Sequence, residues 1–350
     1  MRSSIQRENE QTYQNPMAET ASSLSSCPCC IFLPDDLFLP DNVKSNSSST
    51  STGTSFLRPQ EALQEIASSG ANAVLVDTHG HPHLQRDLHE SYRIETIPAI
   101  EIISLSCAVE PDDWQACLDY AATSDSILCG LGVHPWYMAD LPEGYLATLE
   151  DMLQRHTNVI VGEIGLCKMA RFVRTYPGGK AAALELQRTV FTQQLKLAAK
   201  YERPVSVHCV DQHAVLMKVL AELTPQEIPP TIGMHSFTGS AHHVRQLLKF
   251  EQQSTAKTKI YFGFSHIINF EMNSSEKSRR QGIDAIHAVP YDRLLAESDV
   301  HSSRDVAVGT AGAIAYLAYA LDKPIADVAL QTAKNGIEFL RTRKDLLRSV

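Results

Sequence analysis

A series of short apolar segments begins near residue 73 and continues almost to residue 300. Most of them are continuously apolar rather than alternating, which is typical of strands buried on both faces of a parallel sheet. The eight predicted strands cover residues 73–81, 101–107, 126–134, 159–166, 204–209, 231–237, 259–265 and 294–299. We therefore expect a parallel sheet at the centre of the protein.

Segments with helical periodicity separate most of these strands, with apolar residues at spacings of three to four. The predicted helices are Asp112–Ala122, Tyr145–Gln154, Ala181–Tyr201, Asp211–Leu223, Ala241–Glu251, Thr310–Leu321 and Pro324–Arg343. Strands that alternate with helices in this way favour an α/β fold of the (β/α)8 TIM-barrel type. A doubly wound open sheet is the structural alternative, although no G-x-G-x-x-G motif follows the first strand.

The first part of the chain, residues 1–56, differs in composition from the rest. Its segment SNSSSTSTGTS (45–55) cannot bury enough apolar surface to offset chain entropy, so we expect a disordered tail followed by one domain at 57–350. The apolar segment 27–40 is expected either to pack on the domain or to bind a protein partner. Its C-x-C-C cluster (27–30) has no second ligand pair at finger spacing, which favours a plain tail segment over a metal or redox site.

The overall charge and the cysteine pattern exclude several classes of protein. A net charge of −9 argues against binding nucleic acid through a broad basic face. It leaves open an enzyme that meets phosphates through metal ions, since ions bring their own positive charge. The longest apolar run, Ala313–Leu321, is less than half of the ~20 residues of a membrane span, so we expect no membrane protein. Isolated cysteines and the lack of a signal peptide or presequence pattern favour the cytoplasm or nucleus.

Side chains of the kinds that bind metal lie at the carboxyl ends of the predicted strands. They are His79, His81, Glu163, His208, His235 and Asp299. In a parallel barrel these strand ends meet at one face, where TIM-barrel active sites lie. Imidazoles and carboxylates suit zinc, manganese, magnesium or related divalent ions, and this set exceeds what one tetrahedral ion needs. We therefore expect two divalent ions, with Glu163 as the bridging carboxylate.

Each of these residues alone has an ordinary structural interpretation, and only their common placement at strand ends indicates a metal site. The other histidines lack that placement and are expected to be structural: His83, His89, His156, His213, His242, His243, His266 and His287. His301 follows Asp299 closely, and the sequence does not decide its role.

Six motifs follow one another along the predicted strands: D-T-H-G-H (77–81), G-L-G-V-H-P (130–135), V-G-E-I-G-L (161–166), P-V-S-V-H-C (204–209), M-H-S-F-T-G-S (234–240) and L-L-A-E-S-D (294–299). Their order and spacing resemble those of the TatD family of metal-dependent deoxyribonucleases. The resemblance runs from about residue 74 to 340 and omits the tail. HPW and ESDVH are similar to a divergent, fungal-type branch of that family.

The resemblance implies a TIM-barrel hydrolase that cleaves phosphodiester bonds of DNA, often as a 3′→5′ exonuclease. It implies that His79 and His81 bind one metal ion and that Glu163 bridges to a second. His208 and His235 would then bind the second ion. The chemistry is consistent, because two cations neutralise a phosphodiester and lower the pKa of a bound water.

The resemblance also assigns catalytic and substrate-binding roles. Asp299 would bind metal and act as the general base, with Glu163 as the second catalytic carboxylate. His134 would line the site and help to hold the scissile phosphate. Trp136 and Phe237 are expected either to stack bases or to pack at the rim. The expected substrates are DNA ends or short single-stranded DNA, since an acidic protein neutralises few phosphates with its own side chains.

Three positions depart from the family pattern. Cys167 stands where Asp is usual, Val210 where Arg is common, and Trp136 where a second His is frequent. The locally basic stretch 168–180 is expected either to supply the missing phosphate contacts or to be a solvated connector. None of the departures is an expected metal ligand, so they bear on substrate and rate more than on metal binding.

Three functions remain open at this point. The first is a two-metal nuclease that acts on DNA. The second is a hydrolase of the same fold that acts on a small-molecule ester, phosphoester or amide. The third is a non-catalytic interaction protein that keeps the barrel, although the intact Glu163 and Asp299 argue against a simple loss of activity.

Overall fold

The computed structural model describes residues 56–69, 73–85, 97, 100–273 and 275–341. Its eight parallel strands pair in sequence order. They are β1 (Ala73–Gly80), β2 (Ile100–Cys107), β3 (Ile127–Leu131), β4 (Ile160–Cys167), β5 (Val205–Val210), β6 (Thr231–Met234), β7 (Lys259–Ser265) and β8 (Leu294–Glu297). The predicted strands and the (β/α)8 barrel are confirmed.

Contacts between β1 and β8 bring the two ends of the sheet together. The Thr78 hydroxyl donates to the Ala296 carbonyl at 3.0 Å. Just beyond the end of β8, the Asp299 N–H donates to the carbonyl of His79 on β1 at 3.0 Å. The barrel is thus nearly closed, and the first and last strand ends lie side by side.

The helices pack around the outside of the barrel. They are α1 (Pro59–Ser68), α2 (Trp114–Ala121), α3 (Tyr145–Arg155), α4 (Arg171–Thr175), α5 (Gly179–Lys200), α6 (His213–Glu222), α7 (Ala241–Gln253), α8 (Glu276–Ala288), α9 (Val306–Leu321) and α10 (Ile325–Leu340). The sequence did not predict α1, α4 or α8. α4 has only one turn, and the polar sequence EKSRRQGIDAIHA of α8 shows little apolar periodicity.

The core has two parts, one on each side of the strands. A cluster inside the lower part of the barrel joins Val74, Ile103, Leu128 and Leu295 to Phe339 at the end of α10. A larger cluster lies between the strands and the surrounding helices. Burial on both faces explains why most of the strands read as continuous apolar runs.

The described part of the chain includes Phe56, the last residue of the expected tail. Its ring stacks on Phe270 with centroids 4.2 Å apart and meets Tyr319 edge-on. The expectations for residues 1–55, including the Cys27–Cys30 cluster and a protein partner for 27–40, lie outside the described residues. Among the helices that the structure describes, none is long and apolar enough to cross a membrane.

Two glutamines of α5 hold the connections that follow β3 and β4. Gln194 accepts from the Val133 N–H at 2.7 Å and donates to the Val133 carbonyl at 3.2 Å. Gln187 accepts from the Cys167 N–H at 3.0 Å and donates to the Pro135 and Cys167 carbonyls. Both glutamines are fully buried, so these bonds satisfy backbone groups that have no access to water.

We expect Gln194→Met to lower the free energy of unfolding by about 2–4 kcal/mol, because both backbone groups of Val133 lose their partner. Scanning calorimetry measures the change. The matched control is Gln193→Met, which alters an exposed neighbour on the same helix and is expected to cost no more than about 0.5 kcal/mol. Equal melting temperatures for the two variants would contradict the assigned role of Gln194.

Candidate metal centre

β1 supplies the first two histidines of the site. His79 lies on β1 and His81 directly follows it. The register of β1 against β2 shifts between Asp77 and Gly80, an irregularity of the kind that re-aims side chains. The two imidazoles are buried, and their Nε2 atoms lie 3.3 Å apart. The H-x-H motif therefore brings two imidazole nitrogens to one point.

Glu163 occupies the middle of the site. It lies on β4 where the register against β5 shifts, next to a cis peptide bond between Gly162 and Glu163. Gly162 permits the close approach of β5, since a Cβ there would lie 2.9 Å from a β5 side chain. The Glu163 Oε2 lies 3.3 Å from His79 Nε2 and 3.4 Å from His81 Nε2.

The other oxygen of Glu163 faces three further histidines. Oε1 lies 3.0 Å from His208 Nδ1, 3.4 Å from His134 Nε2 and 3.7 Å from His235 Nε2. One buried carboxylate thus lies close to imidazoles from the ends of three strands, β1, β5 and β6, and from the connection after β3. This is the geometry expected of a bridging ligand.

Asp299 completes the ring of side chains beyond the end of β8. Its backbone adopts the left-handed region with φ 54°, a conformation that is uncommon outside glycine and concentrates at functional sites. Oδ1 lies 3.6 Å from His81 Nε2, and Oδ2 lies 3.7 Å from His235 Nε2. The Asp299 carboxylate therefore lies between a histidine that follows β1 and a histidine that follows β6.

Three groups of described residues bring their ligand atoms within 4.8 Å of one another. They are His79 with His81 and Glu163, His79 with His235 and Asp299, and His134 with Glu163 and His208. Glu163 belongs to two of them. His134, which was expected to contact substrate, also lies where a ligand of an ion would lie. His235 groups with Asp299 rather than with His208.

The donor set fits divalent metal ions. His134 Nε2 and Asp299 Oδ2 are buried and lack a hydrogen-bond partner among the described residues. Leaving such atoms unpaired costs about 1–3 kcal/mol each, so a native site normally supplies a partner. Imidazole nitrogens and carboxylate oxygens that face one small space are the ligands zinc and manganese take.

Burial and mutual contact shift the protonation of these groups. Burial, reinforced by the neighbouring His235, lowers the pKa of His79 to about 3, which leaves its imidazole neutral. Burial raises the pKa of Asp299 to about 6 against the opposing effect of His235. Burial would also raise the pKa of Glu163, but the imidazoles of His134 and His235 hold it well below its usual range. A charged carboxylate and a neutral imidazole are the forms that bind metal.

A second set of groups orients the histidines, as is usual around metal ligands. The Ser206 hydroxyl lies 2.7 Å from His79 Nδ1. His81 Nδ1 lies 2.7 Å from the Cys107 carbonyl, which can only accept, so this nitrogen carries the proton and donates. Glu297 Oε1 lies 2.9 Å from His235 Nδ1. In each case the opposite ring nitrogen is directed towards Glu163.

Sequence reasoning missed these supporting residues. Glu297 lies within the motif L-L-A-E-S-D, and Asp77 begins D-T-H-G-H, so their positions beside ligands were a usable signal. Asp77 is fully buried and accepts from the Ser298 N–H at 2.8 Å and its hydroxyl at 2.7 Å. It thereby fixes the connection that leads to Asp299. Ser206 carried no signal, because its role depends on the pairing of two distant strands.

The two expected stacking residues differ in exposure. Trp136 is half-buried, with its ring centroid 5.7 Å from that of His134. Phe237 is only 3% exposed and packs edge-on against Phe262 in the core. Its ring offers little free face for a base, in line with the rim-packing alternative, and the substrate proposal below relies on Trp136. Cys167 is buried at the end of β4.

The remaining histidines mostly have structural contacts. His83 is buried against a serine hydroxyl at 2.8 Å and a carboxylate at 3.3 Å. His213 and His243 stack with ring centroids 4.2 Å apart. His301 packs edge-on against a site histidine at 5.2 Å, which places it at the margin of the centre. His89 lies outside the described residues.

A nearly closed parallel barrel with a buried histidine–carboxylate centre at its carboxyl face defines the class of metal-dependent hydrolases. The family model for the TatD-related DNases matches residues 76–338. The chain therefore belongs to the TatD family.

Individual relatives agree with this membership. The chain is 31% identical over 191 residues to the Cut9-interacting protein scn1 of Schizosaccharomyces pombe, covering 44% of this chain and 54% of that protein. It is 30% identical over 173 residues to the 3′-5′ ssDNA/RNA exonuclease TatD of Cronobacter sakazakii, covering 48% and 55%. The matches thus span about half the length of each of these two relatives.

A solved structure has the same fold. The TatD homologue YjjV of Escherichia coli superposes with a TM-score of 0.61 at 21% identity, covering 77% of this chain and 98% of that one. At this level of identity the likeness supports the barrel fold and not a particular activity.

We expect Ser206→Ala to weaken divalent metal binding about 10- to 100-fold, because it removes the hydroxyl that orients His79. Metal titration calorimetry measures the affinity. The control is Thr231→Val, which removes a buried hydroxyl bonded to the Phe339 carbonyl in the barrel floor. If both variants bind metal as the wild type does, Ser206 does not support the site.

Proposed function

We propose that this protein hydrolyses phosphodiester bonds at the ends of nucleic acid strands, as a metal-dependent nuclease of the 3′→5′ exonuclease kind. The observation that carries the proposal is the buried Glu163 carboxylate, which lies 3.0–3.7 Å from five imidazoles at the mouth of the barrel. Support comes from the Cronobacter relative, which is named a 3′-5′ ssDNA/RNA exonuclease.

Two divalent ions fit the donor set, with zinc, manganese and magnesium as the candidates. His79 and His81 would hold one ion together with Glu163, which bridges to the second. His208 and His235 would hold the second ion, since both face the other oxygen of Glu163, at 3.0 and 3.7 Å. His235 also lies in the group with His79 and Asp299, so it stands between the two ions. Two ions are favoured over one because the two oxygens of Glu163 face different sets of nitrogens.

When bound, the ions supply positive charge that neutralises the scissile phosphate and lowers the pKa of a nearby water. Asp299 accepts the proton of the attacking water, since its Oδ2 is unpaired and faces the centre. Glu163 stays ionised and holds the two halves of the site together. His134 lies at the wall on the side of Trp136 and orients the phosphate that carries the leaving group.

The proposed substrates are DNA ends and short single strands. The centre is deeply buried, so a substrate reaches it with a strand end more readily than with the middle of a duplex. Trp136 lies next to His134 and offers an aromatic face to the terminal base. The net charge of −9 disfavours broad contact with duplex DNA.

We place the protein in the cytoplasm or nucleus. The five cysteines of the described region are buried, as small core residues are in reducing compartments.

The two alternative functions receive less support. A hydrolase of small molecules is less supported, because a relative of this chain is named an exonuclease of single-stranded DNA and RNA. A non-catalytic interaction protein has no need for buried histidines and carboxylates, some of whose nitrogen and oxygen atoms have no hydrogen-bond partner among the described residues. A protein partner for the N-terminal tail rests on sequence alone.

We expect Asp299→Asn and Glu163→Gln each to lower kcat/KM on a 3′-ended single strand on the order of 10³-fold, through loss of the base or of the bridging ligand. Release of mononucleotides in Mg²⁺, Mn²⁺ or Zn²⁺ measures the rate, and chelation by EDTA should abolish it. The control is Asp284→Asn, an exposed carboxylate of α8. No nucleotide release by the wild type in any metal, or equal release by all variants, would refute the proposal.

Metal content separates the roles of two histidines. We expect His235→Gln to lower the bound metal from about two ions per chain to about one, since it removes a ligand. His134→Gln should retain about two ions and slow hydrolysis, because it contacts the phosphate. Elemental analysis of dialysed protein gives the stoichiometry. The opposite result would move His134 into the ligand set, in agreement with its 3.4 Å distance from Glu163.

A further inference from the structure

The segment that follows β4 carries cations without nearby acidic residues. Lys168, Arg171, Arg174 and Lys180 lie in KMARFVRTYPGGK, and no Asp or Glu occurs between residues 168 and 184. All four side chains are exposed. Within the part of the chain that the structure describes, none of them forms an ion pair, whereas Arg155, Arg188, Lys196 and Lys200 all do. We call Lys168, Met169, Arg171 and Arg174 the basic strip.

The basic strip is held in place and is not a loose connector. Phe172 and Val173 are buried, and the Phe172 ring packs edge-on against Tyr176 at 4.9 Å. The Lys168 N–H donates to the Val210 carbonyl at 3.1 Å, which ties the start of the strip to the end of β5. Buried anchors that alternate with exposed cations give the strip a fixed outward face.

The strip adjoins the metal centre through one shared clamp. Gln187 donates to the Pro135 carbonyl at 2.9 Å and to the Cys167 carbonyl at 3.1 Å. Trp136 follows Pro135, and Lys168 follows Cys167. Gln187 therefore holds both the connection that carries Trp136 and the connection that begins the basic strip. Met169, which is 48% exposed, adds an apolar surface beside them.

The cations have the spacing of a backbone-binding surface. Arg171 and Arg174 are three residues apart on one turn of α4, so their side chains lie on one face about 5–6 Å apart at Cβ. Lys168 lies three residues before Arg171. Apolar faces at Trp136 and Met169 followed by cations match the combination of stacking and charge by which proteins hold single strands.

We propose that the basic strip binds the single strand that trails from the metal centre, with Trp136 and Met169 against the first bases and the cations on the following phosphates. This inference rests on the proposed function, because the strand end has to enter the same centre. It identifies a single-stranded phosphodiester chain of several nucleotides, DNA or RNA, as the substrate class. An acidic peptide is the competing occupant.

The test is the triple variant Lys168→Gln, Arg171→Gln, Arg174→Gln. The control is Lys257→Gln, Lys259→Gln, Lys323→Gln, which removes three exposed cations at the opposite end of the barrel. Two of them have local contacts, with Glu338 at 3.6 Å and with the Tyr291 ring at 5.0 Å, so the control also reports any loss of stability. Each triple is combined with Asp299→Asn for binding in Mn²⁺ and is prepared alone for kinetics. The melting temperature of each protein is checked first, and single substitutions replace a triple that does not fold.

Fluorescence anisotropy with labelled 12-mers of DNA and RNA reports binding. We expect the strip variant to weaken binding on the order of tenfold or more, and to flatten the slope of log Kd against log salt by about 2, at about 0.7 for each lost phosphate contact. The control variant should bind as its parent does. Weakening on only one type of strand supports the strip and identifies that strand as its ligand.

Kinetics separates this inference from the proposed function. For the strip variant, we expect kcat/KM on a 12-mer to fall about tenfold more than on a dinucleotide, which does not reach the cations. Equal effects of the strip and control variants on the Kd for the 12-mer would overturn the proposal that the basic strip binds the strand. So would equal displacement of the 12-mer by a glutamate-rich peptide of the same charge. Absence of hydrolysis by the wild type overturns the proposed function, while the binding measurement still decides the strip.

Discussion

Glu163 is a negatively charged side chain buried at the mouth of the barrel, and the surrounding site depends on stabilising that charge. Removing a carboxylate from water is costly unless it is paired with cations and hydrogen-bond donors. Five imidazoles lie within 3.7 Å of its oxygens. Divalent ions between these groups would complete the compensation and provide the positive charge that a phosphodiester requires.

The barrel makes this arrangement possible by bringing distant residues to one face. His79 and Asp299 are 220 positions apart, yet the N–H of one donates to the carbonyl of the other at 3.0 Å. Side chains that contribute no ligand fix the geometry: Ser206 and Glu297 orient imidazoles, and Gln187 and Gln194 hold the connections after β3 and β4. The support of the centre is therefore distributed over several elements of the barrel.

The net charge of −9 does not conflict with the proposed nucleic acid substrate, because positive charge can be concentrated where the substrate would bind. At the candidate metal centre, the proposed ions would supply positive charge. Away from it, Lys168, Arg171 and Arg174 present cations on one anchored segment. In the proposed function, the net charge of −9 favours approach by a strand end over binding along a duplex.

The sequence by itself determined the strand count and the order of motifs, because burial on both faces of a strand gives continuous apolar runs. It also predicted six site residues from ligand chemistry and from their placement at strand ends. It did not show α8, whose polar sequence is held by contacts rather than by periodicity. It predicted that His134 contacts the substrate and left Phe237 open between base stacking and rim packing. The structure places His134 Nε2 3.4 Å from Glu163 and buries Phe237. Only the tertiary structure decided which side chains lie close to Glu163, which groups contact their imidazoles and which rim residues are exposed, because these depend on strand register and on contacts between residues far apart in the chain.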